Sequence, residues 1–141
     1  MNLSPNFTLA ELTFTDHREY LNEPNQNELQ NLYRLAEFLE QIRNLLACPI
    51  LVNSAYRSKS VNDAVGSKDT SQHRLGCAAD IRVPGMAPDQ VVRAIKDSEL
   101  DYDQVIREFD RWTHVSIPNT RVIQSRQQAL IIDRAGTRVY A

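Results

Sequence analysis

Leu29, Leu32, Tyr33, Ala36, Leu39, Ile42 and Leu46 recur three or four residues apart. That spacing lines one face of a helix, so residues 25–47 predict a long amphipathic helix whose apolar stripe belongs to a core. Asn25 and Glu28 give its start the form of a capping box, and Pro49 ends it. Thr8 and Glu11 repeat that form ahead of a short helix over 8–13, and residues 14–24 read as a loop. Residues 50–54 read as a buried strand, and 58–65 as a short helix closed by Gly66. A polar loop rich in turn formers follows over 67–74. Residues 78–83 alternate as a strand ended by Pro84-Gly85, and Pro88 suits the first turn of a helix that buries Val91, Val92 and Ile95. Residues 105–109 and 112–117 are strand-like, and 129–133 with 137–140 form a hairpin candidate across 134–136. Helices precede most of the strands. The pattern therefore predicts an α+β fold, with helices packed on an antiparallel β-sheet in one domain spanning 1–141.

Composition narrows the function classes more than the fold. A chain of 141 residues is one domain's length and buries roughly 70% of its unfolded surface. A net charge of −2 leaves no basic surplus to neutralise phosphates, so nucleic acid is not an expected partner. Cys48 and Cys77 are too few for a disulfide framework and read as small buried apolar residues. No run approaches the ~18 apolar residues of a membrane span, and MNLSPNFTLAEL has neither a basic nor an apolar leader region. The expectation is a monomer made in the cytoplasm without a signal peptide and without stable membrane association.

The candidate chemistry lies in two short blocks. His73 and Asp80 are seven apart in SQHRLGCAAD, and His114 lies in RWTHVSI, where it shares a strand face with Trp112 and Ser116. A His–Asp pair at this spacing is, by itself, an ordinary surface or tautomer-fixing contact. Asp80, however, falls inside an apolar strand, where an unpaired carboxylate is costly to bury and a metal would neutralise it. Two imidazoles and a carboxylate make a three-ligand set for zinc (Zn2+), which leaves a position for water and lowers that water's pKa to about 7.

Glu108 is the leading general base, and the turn before His114 decides whether it can serve. A two-residue loop at Asp110-Arg111 sets Arg107 opposite His114 and turns Glu108 away. A three-residue loop over 110–112 places Glu108 opposite His114 on one face. Asp110 is the competing base, and a solvated turn residue is the plain alternative for either carboxylate. Arg57, in NSAYRS at a strand end, offers a guanidinium fork that matches a substrate carboxylate, or else a surface ion pair. His17 lies in an early polar loop and reads as a bystander.

NSAYRSKSVNDAVGSKDTSQHRLGCAADI resembles the central block of the M15 zinc peptidases, in the small D-Ala-D-Ala carboxypeptidase-like group that includes many phage endolysins. EFDRWTHVSI resembles that group's second block, and FTLAELT with Asn22 and Pro24 its N-terminal part. The resemblance implies a compact fold similar to hedgehog amino-terminal domains. It implies His73, Asp80 and His114 as zinc ligands, Glu108 as general base, Arg57 in substrate binding and a structural part for Ser71. The implied substrates are peptidoglycan stem peptides. An endolysin released to the cell wall by a membrane-permeabilising partner fits a chain without an export signal. A wall-trimming carboxypeptidase or dipeptidase, and a non-catalytic zinc-binding module on the same fold, are the rival readings.

Overall fold

Two capping boxes organise the N-terminal third. The computed structural model describes residues 1–119 and 124–141. The Thr8 hydroxyl accepts from the Glu11 N–H at 3.1 Å while Glu11 accepts from the Thr8 N–H, opening helix α1 (Leu9–Leu12). Asn25 and Glu28 exchange the same pair at 2.8 and 2.9 Å to open α2 (Gln26–Leu46), which ends at Ala47 in the left-handed conformation. The buried side of α2 carries Leu32, Leu35, Ala36, Phe38, Leu39 and Ile42, whereas Tyr33 of the expected stripe is exposed. The stripe is rotated because α2 packs against both an N-terminal ribbon and a later helix, so its buried arc is wider than one row. That ribbon, β1 (Asn2–Ser4) with β2 (Phe7–Thr8), is too short to show a period-two pattern and was not predicted. Glu40 of α2 ties it down, accepting from the Ser4 hydroxyl at 2.6 Å and from the Asn6 backbone and amide at 2.7 Å.

The main sheet comprises β3 (Leu51–Ser54), β4 (Ala78–Arg82), β5 (Gln104–Glu108), β6 (Trp112–Ser116), β7 (Gln128–Asp133) and β8 (Gly136–Val139), in the order β3-β4-β6-β5-β7-β8. All neighbours run antiparallel except β5 and β7, which are parallel, so the sheet is mixed rather than purely antiparallel. The chain after β6 returns to the start of β5, where Gln127 donates to the Tyr102 carbonyl and Gln128 to that of Asp103. A strand launched from that end must run alongside β5 in its direction. The predicted C-terminal hairpin is formed, but its local pattern carries no mark of which outer strand it will join. β3 corrects the buried-strand expectation. It is an edge strand with one neighbour, and Leu51 is exposed.

Helix α3 (Lys59–Ala64), capped by Ser58, and a 3-10 turn at Gln72–Leu75 lie between β3 and β4. Helix α4 (Pro88–Lys96) follows β4 and buries Val91, Val92 and Ile95. Together α2 and α4 cover one face of the sheet, enclosing Ala79, Ile81, Val105 and Val115 in a single apolar core. Cys48 and Cys77 are both free thiols, with Cys77 buried in this core. Among the described residues no helix is long and apolar enough to cross a membrane. The result is a single α+β domain whose other sheet face lies against the 3-10 turn at Gln72–Leu75.

Candidate metal centre

Alternation along β4 and β6 sends Ala79, Ile81 and Val115 into the core and leaves Asp80 and His114 on the opposite face. The strands are paired so that these two residues stand directly opposite each other. His114 Nδ1 lies 3.1 Å from Asp80 Oδ1. His73 arrives from the 3-10 turn, which Ser71 starts by accepting from the His73 N–H at 3.3 Å. Gly76 ends that turn at φ +77, and a side chain there would come within 2.8 Å of the Glu28 carbonyl on α2. Only glycine lets the turn sit this close to the helix.

The His73 ring is fixed from behind. Its Nδ1 is 2.7 Å from the Ala55 carbonyl, which can only accept, so Nδ1 carries the proton and Nε2 presents a lone pair. That Nε2 is 3.3 Å from the same Asp80 oxygen. Ligands about 2.1 Å from a tetrahedral metal stand about 3.4 Å apart, close to these separations. One ligand atom from each of His73, Asp80 and His114 lies within 4.8 Å of the others, and all three residues are buried. The donor set and its spacing fit a divalent metal such as zinc.

Glu108 and Arg57 flank this cluster. The β5–β6 turn spans three residues, 109–111, with Glu108 paired to Trp112 and Ile106 to His114. Glu108 therefore shares the face of His114, as a three-residue loop requires, but sits diagonal to it rather than opposite. Phe109 and Asp110 occupy the left-handed turn positions, both at φ 53. Asp tolerates this region, whereas an aromatic residue there is uncommon. Glu108 Oε1 is 3.8 Å from His114 Nδ1, and Oε2 accepts from the Trp112 indole at 3.0 Å. Arg57 reaches Asp80 Oδ2 at 3.4 Å through Nη2 and the Ser54 hydroxyl at 3.2 Å through Nε. Asp110 lies outside the group, exposed and paired with Arg107 at 3.1 Å. His17 stands with Glu19 and lines a small hollow beside Arg57.

The electrostatics match these positions. Burial alone would raise the Asp80 carboxyl, but His73 and His114 more than reverse this and hold it well below the ordinary carboxylate range. Burial lowers the His73 pKa despite Asp80, which favours the neutral imidazole that a metal needs. Burial and the nearby Asp80 charge push Glu108 above its usual value, only partly offset by His114, Trp112 and Arg57.

The Peptidase M15 family matches residues 5–116, a span that contains every residue of this cluster. The chain belongs to the M15 peptidase family. A comparison with curated proteins found no match. As an M15 peptidase the chain is a hydrolase, and the His73–Asp80–His114 group is its metal-type cluster among the described residues.

An open cleft of about 620 Å3 runs from this cluster past Glu108, His114 and Ile106 toward Gln72, Lys68 and Arg126. Sequence reasoning missed three contributors: the Ala55 carbonyl behind His73, the Trp112 indole on Glu108, and Arg126. The first is a backbone group and leaves no mark in the residue types. Trp112 is part of the Trp-x-His block, so its contact was within reach of a facing-residue argument. Arg126 lies in a stretch without hydrophobic pattern and beyond the matched residues.

Proposed function

We propose that this M15 peptidase is a zinc enzyme that hydrolyses peptide bonds in peptidoglycan stem peptides. The observation that carries the reading is a half-buried carboxylate, Glu108, beside three metal-type ligands and 3.8 Å from one of them, His114. His73, Asp80 and His114 would hold the zinc. Zinc, when bound, supplies Lewis-acid activation of water and of the scissile carbonyl.

The protein's own groups do the rest. The Ala55 carbonyl keeps the His73 proton on Nδ1, so that Nε2 faces the cluster as an acceptor. Glu108, held by Trp112 through Oε2, has Oε1 directed to the reaction side, where it takes the proton of the attacking water and delivers it to the leaving amine. Burial and the Asp80 charge push its pKa up, which strengthens it as a base. Arg57 is half-committed to Asp80 and Ser54, and its remaining nitrogen Nη1 holds a substrate carboxylate and fixes register. Asp110, exposed and paired with Arg107 at 3.1 Å, stands apart from the cluster, which supports Glu108 over it as the base. Within this class the NSAYRS and SQHRLGCAAD blocks favour the phage endolysin type, acting on the cell wall after release from the cytoplasm.

Mass spectrometry of purified peptidoglycan incubated with the protein tests the reading, run with and without a zinc chelator. Cut stem peptides are expected, lost with chelator and restored by added zinc. Intact peptidoglycan in the presence of stoichiometrically bound zinc would instead identify a non-catalytic zinc-binding module.

A further inference from the structure

Arg126 enters the cleft from outside the family-matched region, and its placement is built rather than incidental. Its partner Asp103, directly before β5, is 3% exposed. Asp103 Oδ1 accepts from the Arg126 backbone N–H at 3.0 Å and from its Nε at 3.1 Å, and Oδ2 accepts from Nη2 at 2.6 Å. The same Oδ2 accepts from Gln72 Nε2 at 2.8 Å, and Gln72 directly precedes His73. One buried carboxylate thus fixes two cleft-lining side chains relative to the metal-type cluster. The guanidinium itself remains about half exposed, and Nη1 has no partner among the described residues.

The remaining lining points the same way. Lys68, Gln72, Gln104, Ser71 and Thr70 are cationic or neutral, and among the described lining residues the carboxylate is Glu108, at the inner end. A held arginine with a free face matches a carboxylate, and the fork needs little further ordering to accept one. Arg57 lies on the other side of the cluster, in the smaller hollow with Phe14 and His17. A peptide crossing the centre would therefore meet a guanidinium on each side.

We infer that Arg126, held on Asp103, is a specificity residue that binds a free carboxylate of the substrate on the Glu108 side of the scissile bond. This rests on the peptidase reading above, and it names a class within it: acidic peptides whose carboxylate is unamidated.

The test is calorimetric binding to the zinc-loaded Glu108→Gln variant, which separates recognition from turnover. The probes are a synthetic stem peptide with its free side-chain and α-carboxylates and the same peptide with those groups amidated. The acidic form should bind roughly three- to tenfold more tightly, a modest preference because Arg126 is partly solvated. Adding Arg126→Gln should lower that ratio to the part owed to Arg57, while Arg126→Lys should keep more of it. The neutral pair Asp103→Asn/Arg126→Gln leaves no buried charge unpaired and should match Arg126→Gln even if the single variant folds poorly. Equal binding of the two peptides, or a ratio unchanged by Arg126→Gln, overturns the inference alone. Binding of neither peptide overturns it together with the peptidoglycan reading.

Discussion

On strands β4 and β6, residues 79, 81, 113 and 115 point toward the helices while 78, 80, 114 and 116 point toward the cleft, and both sets are buried. The helix side is buried by apolar partners: Ile81 and Val115 sit among the side chains of α2 and α4. The cleft side is buried by mutual compensation. Asp80 is hemmed in by two imidazoles and a guanidinium, each within 3.4 Å of one of its oxygens. Equal burial thus stands for two kinds of energetics. Removing a methyl group from the first costs packing, whereas removing a charge from the second leaves its partners unbalanced and the metal without a ligand.

The largest expected effect breaks the cleft side. His73→Ala or His114→Ala should abolish stoichiometric zinc binding and reduce hydrolysis to the buffer background, measured by metal analysis beside a peptidoglycan digest. Glu108→Gln should separate the two properties, keeping zinc while slowing turnover by about 10²–10⁴. Retention of near-normal rate by Glu108→Gln, with loss in Asp110→Asn, would move the base to the turn. Ile81→Ala addresses the helix side. It should cost about 2–5 kcal/mol in denaturant unfolding, yet leave zinc content and turnover per folded molecule unchanged below the transition. A comparable loss of zinc in that variant would mean the two faces are not energetically separate.

The smallest effect concerns acid stability at the cleft rim. Burial pushes the Asp103 carboxyl up, but the hydrogen bonds from Arg126 and Gln72 more than reverse this and hold it below its ordinary 3.8. The native state then binds fewer protons than the unfolded chain. Its contribution is present in full above pH 3.8 and is lost as pH falls through the lower native value. Unfolding midpoints followed downward from pH 5 should fall less steeply in Asp103→Asn than in the wild type. An identical slope would show that Asp103 does not couple to folding.

How far each feature could be read ahead of the structure follows from the range of the interaction behind it. Both capping boxes were legible because Thr8 with Glu11 and Asn25 with Glu28 act across three residues. The family resemblance was legible because SQHRLGCAAD and EFDRWTHVSI each hold side chains whose roles need those types at that spacing, down to the glycine that lets His73 approach α2. The exposure of Tyr33 was not, since a stripe on a helix shows that a face is buried but not how wide its covering is. The turn at 109–111 had the right length for Glu108 to face His114, yet the register was displaced, because both registers preserve the alternation that the sequence displays. The ribbon β1–β2 was too brief to show any period.

By itself the sequence determined the local elements and the membership of the M15 family, since caps, turns and motif residues are specified by chemistry within a few positions. Only the tertiary structure decided that β7 joins β5 in parallel, that β3 is an edge, and that Asp103 carries Arg126 into the cleft beside Glu108. Those outcomes depend on which strand ends and side chains meet after the chain has closed on its core. Partners 23 residues apart, such as Asp103 and Arg126, leave no local pattern from which the meeting could be read.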